Sequence, residues 1–174
     1  MYLDFPIGFP IMKFDFSDFP ALVGAFAMGP VWGVVITLVK NLLICLLKGT
    51  ESAYVGQLAN FIVGAALVYP AGLVYKYNKT KGGAMLGLAA GAVSILVFSA
   101  LANYYIMIPF YIKFMKIPLD GIIAKCNTPL VTNLWTYILY IVLPFNAIKA
   151  VVVSILTMLL YKRISPLLHG RDLS

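Results

Sequence analysis

The sequence predicts an all-α integral membrane protein, a multi-helix bundle in a single membrane domain, residues 1–174, and three observations predict it. Of 174 residues, 62% are hydrophobic and 11% charged, whereas soluble domains carry about 45–50% apolar and about 25% charged residues. A body of 19.1 kDa has too little interior to hide that much apolar surface. The apolar residues also gather into long runs separated by short polar or Pro- and Gly-containing joints. A water-soluble enzyme is excluded, and the lipid bilayer is the solvent the chain is built for.

Each element follows in order. Residues 1–17 are apolar but broken by Pro6, Gly8 and Pro10, with irregularly spaced aromatics, and predict an ordered aromatic loop. Asp4, Asp15 and Asp18 crowd this start and no basic segment precedes an apolar core, so no signal peptide is expected. Phe19 to Leu47 is one apolar run of 29 residues, about 44 Å as a helix against a hydrocarbon layer of about 30 Å. Gly29-Pro30 is the natural break, because proline is tolerated in the first turn of a helix and not in its interior. Spans are therefore expected at 18–29, capped by Asp18, and at 30–48.

The next span, 54–75, ends at Lys76, Lys79 and Lys81, and the following one, 82–109, opens with Gly83, Gly87 and Gly91. Small residues at every fourth position let a neighbouring helix approach closely. Residues 110–143 mix charge, Pro118, Gly121 and Pro129 with apolar side chains and predict an outer, partly helical loop. The last apolar region, 134–161, is expected to break at Pro144, leaving 145–163 as the final span. Five spans result.

The net charge of +7 fits topology, since no basic stretch is interleaved with stacking aromatics and no nucleic-acid partner is expected. With the tail and residues 76–82 on one side, that side holds Lys76, Lys79, Lys81, Lys162, Arg163 and Arg171 against Asp172 alone. The other side balances Lys13, Lys48, Lys113, Lys116 and Lys125 with Asp4, Asp15, Asp18, Glu51 and Asp120. Basic residues near span ends favour the cytoplasm, so the expectation is a multi-pass protein of a prokaryotic plasma membrane with a cytoplasmic C-terminus. Lys40 and Lys149 are the only charges left in spans, and no carboxylate is expected there.

A lysine at mid-bilayer costs about 2.5–3.5 kcal/mol on insertion scales, so each needs a partner or a cavity. Lys149 shares a helix face with Asn146, three residues earlier, which offers a cation and an amide to the outer half of the bundle. One reading is a ligand contact; the other is a snorkelling lysine beside an asparagine bonded to a neighbouring helix. Asn60 and Asn103 favour the first, because amides on three helices can converge on one pocket. Lys40-Asn41 reads as glue between helices. Phe14, Phe16, Tyr104, Tyr105, Phe110 and Tyr111 form either an interfacial aromatic belt or a stacking wall for a flat ligand.

Catalysis has no support. Neither HExxH nor GxSxG occurs, Cys45 and Cys126 are 81 residues apart without metal-ligand spacing, and His169 lies in the basic tail. There is no GxxxxGK[ST] phosphate loop either, so energy for transport would have to come from a partner protein.

The ordered series Lys13-Phe14-Asp15-Phe16-Ser17-Asp18-Phe19-Pro20, Gly29-Pro30, Lys40-Asn41-Leu42, Ala59-Asn60-Phe61, Asn103-Tyr104-Tyr105 and Pro144-Phe145-Asn146-Ala147-Ile148-Lys149 resembles the riboflavin-binding S components of energy-coupling-factor (ECF) transporters. The resemblance covers almost the whole chain. It implies a six-helix fold whose first helix is largely missing from this chain, and vitamin B2 as transported ligand, with FMN or analogues as alternatives. It also implies a scaffold T subunit, two ATPase subunits and no cofactor. On it, Asn146 and Lys149 belong to the ligand site and the segment Lys13 to Phe16 caps it, with Asn60, Asn103 and Tyr104 as further candidates. Gln57 stands where the family usually has glutamate. The alternatives are an S component for another vitamin, or a structural or assembly subunit.

Overall fold

The computed structural model describes residues 2–3, 14–15, 18–48, 55–116, 118–126 and 129–168. Tyr2–Leu3 (β1) and Phe14–Asp15 (β2) pair antiparallel, with Tyr2 opposite Asp15, and bring the two ends of the opening segment together. Phe16 lies outside the described residues.

Helix α1, Asp18–Met28, turns into α2, Pro30–Lys48, at Gly29, whose φ of 105° falls in the left-handed region open to glycine. With 11 residues α1 is about 16 Å long, too short to cross the hydrocarbon layer. The expected five spans thus become four long apolar helices among the described residues, plus this short one. Helix α3 covers Val55–Tyr77 and α4 runs Lys81–Lys113. Thr80 caps α4, its Oγ1 accepting from the Gly83 N–H at 3.0 Å. A short α5, Leu119–Lys125, precedes α6, which runs unbroken from Leu134 to Leu168.

Two expectations about helix ends need correction. Residues 134–144 belong to the last span, and Pro144 does not break it. Likewise α4 passes Pro109 and ends at Lys113. In both helices a π-helical turn sits just ahead of the proline, Asn103–Met107 in α4 and Ile138–Val142 in α6. Proline lacks an N–H and its ring crowds the carbonyl four residues back. Widening the preceding turn, where the Ile108 and Leu143 N–H groups donate to Asn103 and Ile138, makes room without ending the helix.

Helix α1 sits against α2, α3 and α6, and α3 pairs closely with α4. The glycine ladder serves that pairing: a Cβ on Gly87 would lie 2.6 Å from the Ala71 carbonyl oxygen, and one on Gly91 2.5 Å from that of Leu67. The main core joins Leu22 and Ala25 of α1, Leu67 and Ala71 of α3, Ile95 of α4 and Val153 of α6. A second cluster, with Ile108, Ile122, Cys126, Tyr137 and Val142, joins the far ends of α4 and α6 to α5. Leu38, Leu42, Leu46 and Leu47 of α2 are exposed, as expected of a face turned to acyl chains.

Candidate functional site

A single carboxylate organises the polar interior. Asp18, in the first turn of α1, is fully buried, and its Oδ1 accepts from Lys40 Nζ of α2. Its Oδ2 pairs with Lys149 Nζ of α6 at 2.5 Å. Both lysines are almost entirely shielded as well. Gly64 is what lets this carboxylate lie against α3, because a Cβ there would stand 3.2 Å from Asp18 Oδ1 and 2.9 Å from Thr37 Cγ2. Four helices therefore meet at one charge cluster.

Amides extend it along α3. Asn60 Nδ2 donates to Asn41 Oδ1 at 3.0 Å, and Asn41 Nδ2 donates to the Thr37 carbonyl at 2.8 Å. Gln57 is three residues from Asn60, on the same helix face, and its buried Oε1 has no hydrogen-bond partner among the described residues. On α6, Asn146 is buried and its Nδ2 donates to the Val142 carbonyl at 2.9 Å. That leaves Asn146 Oδ1 as an acceptor. Lys149 has three N–H donors and uses one on Asp18.

The structure brings Lys149 and the Asn60–Asn41 pair into this interior, and it corrects the reading of one neighbour. Asp18, expected on the outer side as a helix cap, is the common partner of both intramembrane lysines. Lys40-Asn41, expected as glue between helices, does bond across them: Lys40 shares the Asp18 carboxylate of α1 with Lys149, and Asn41 accepts from Asn60 of α3. No sequence signal paired them, although an aspartate opening an apolar run that must answer for two intramembrane lysines was the available hint.

Asn103 and Tyr104 lie in the π-helical turn of α4. Asn103 Nδ2 donates to the Ser99 carbonyl at 2.9 Å. Tyr104 faces Trp135 of α6 with ring centroids 5.2 Å apart, and its edge meets Tyr105 at 4.9 Å. Phe14 is placed by the backbone of β2, opposite Leu3. Apolar grooves between α4 and α6 are lined by other residues. Among the described residues no group of His, Cys, Asp or Glu is arranged to hold a metal ion.

Residues 1–161 match the family described as ECF transporter, substrate-specific component. The riboflavin transporter RibU of Staphylococcus aureus (strain TCH60) is 34% identical over 166 residues, covering 94% of this chain and 82% of that protein. The riboflavin transporter FmnP of Bacillus subtilis (strain 168) is 31% identical over 169 residues, covering 95% and 84%. Among solved structures, "Structure and mechanism of the S component of a bacterial ECF transporter" superposes with a TM-score of 0.70 at 31% identity, covering 96% of this chain and 86% of that one.

Proposed function

The chain belongs to the substrate-specific components of ECF transporters, and from that premise we propose that it captures riboflavin at the buried polar cluster and hands it on for uptake. It is a transport subunit of a prokaryotic membrane, not an enzyme, and works with the T and ATPase subunits of its transporter class. The observation that carries the site is the convergence of α1, α2 and α6 on Asp18, which holds Lys149 in the interior with donors to spare.

The chemistry of a flavin suits these groups. The pyrimidine edge of isoalloxazine alternates carbonyl acceptors with an N–H donor; Lys149 can donate to a carbonyl and Asn146 Oδ1 can accept from the N–H. Gln57 and Asn60 supply further acceptors for ligand hydroxyls. Tyr104 with Trp135, and Phe14 and Phe16 of the opening segment, would cover the ring faces. FMN shares the ring system and differs by a phosphate, so it competes if the tail end of the site is open.

Purified protein is expected to carry bound flavin, and added riboflavin to raise its melting temperature with the logarithm of concentration, worth about 2.7 kcal/mol at a hundredfold excess over Kd. Asn146→Ala and Lys149→Ala are each expected to weaken riboflavin binding by about 1–3 kcal/mol, read by flavin fluorescence titration. Unchanged affinity in both variants would remove them from the site. A folded protein that no flavin stabilises would overturn the substrate.

A further inference from the structure

A groove of about 500 Å³ opens between α4 and α6, away from the charge cluster and unused by ligand capture. Met85 and Ala92 of α4 and Val151 and Ile155 of α6 line it, and apart from Ser154 its only polar lining is Lys81. Its shape matches one kind of occupant. From Lys81 to Ala92 is eleven residues of helix, about 16 Å, and one leaflet contributes about 15 Å of the hydrocarbon layer. The groove thus runs from headgroup level to the bilayer centre. At its mouth residues 76–82 carry Lys76, Lys79 and Lys81 with no carboxylate, and Lys162 and Arg163 follow on α6 shortly after Leu159.

We infer that this groove is a binding site for an anionic phospholipid, one acyl chain lying between α4 and α6 and the headgroup phosphate on Lys81. An apolar slot alone would accept any alkyl chain. The cationic collar is what selects negative charge, since each lysine near a headgroup favours an anionic lipid by a severalfold preference. Lys81 is exposed and so free to meet it, and Thr80 already satisfies the capped end of α4, which keeps the slot's mouth in register.

The test is lipid binding to the purified, delipidated chain, comparing phosphatidylglycerol with phosphatidylcholine of identical acyl chains by native mass spectrometry. Phosphatidylglycerol is expected to bind about fivefold tighter. Lys81→Gln should bring that ratio close to one, and Ala89→Phe, which puts a ring into the slot from an exposed position, should weaken both lipids. Riboflavin affinity, read in the same samples, should stay at its original value and report an intact fold. If Ala89→Phe does not fold, Ile155→Trp, at a position 53% exposed, takes its place. A ratio near one in the unaltered protein, a ratio that survives Lys81→Gln, or a photo-crosslinker at Met85 that captures a second polypeptide instead of lipid would each overturn the inference.

Discussion

Asp18 is the residue on which the interior depends. Two lysines inside a bilayer are tolerable here because one carboxylate answers both, and the carboxylate is tolerable because two ammonium groups surround it. Removing the shared carboxylate takes the bridging counter-charge from both buried cations, so Asp18→Ala is expected to destabilise the protein by about 3–5 kcal/mol in chemical or thermal unfolding in detergent. Lys149→Met leaves Asp18 still paired with Lys40, and its stability loss should be clearly smaller than that of Asp18→Ala. An equal loss in both variants would mean that Lys40 does not hold the carboxylate on its own. Lys149 stood out in the sequence as an intramembrane charge that needs a partner, with a ligand contact and a snorkelling lysine as its two readings. Asp18 was not, because a carboxylate just ahead of Phe19-Pro20 reads locally as a helix start and nothing nearby in sequence points to its partners.

At the scale of elements, glycine and proline set the packing. Gly87 and Gly91 let α4 lie against the backbone of α3, and the atoms a Cβ would strike are carbonyl oxygens that cannot rotate away. Gly91→Val is therefore expected to cost about 1–3 kcal/mol of stability, seen as a lower melting temperature, and to do so without riboflavin present. The ladder was readable as a close-packing face from its spacing alone, though its partner was not. Pro144 shows the opposite case. A proline in an apolar run reads as a break, and only the three-dimensional chain reveals that the π-helical turn at Ile138–Val142 absorbs it. The same device ahead of Pro109 lengthens α4 and carries Asn103 and Tyr104 in its widened turn.

For the whole molecule, the bias of basic residues towards the tail and the α3–α4 turn predicts a cytoplasmic C-terminus. A membrane-impermeant maleimide applied to intact cells should modify Phe114→Cys, at an exposed position beyond α4, and spare Tyr77→Cys at the end of α3 until the membrane is opened. Labelling in the reverse pattern would invert the topology. The native thiols interfere little: Cys126 is buried and burial pushes its thiol above the ordinary value, which disfavours the reactive thiolate at neutral pH. Cys45 sits half-buried in α2.

Composition and run length settled by themselves that this chain is a helical membrane protein, because the balance of apolar and charged residues and the length of apolar runs are properties of the chain that no tertiary contact alters. The ordered motifs likewise carried the resemblance to riboflavin-binding S components. What only the folded molecule decided is which polar groups meet. Asp18 lies 22 residues from Lys40 and 131 from Lys149, and no periodicity reaches across such distances. Their meeting follows from a glycine at position 64 that admits a carboxylate against α3, and from a short α1 that packs against α2, α3 and α6 at once. Pairing of charges in lipid is decided by packing, and packing is a property of the whole.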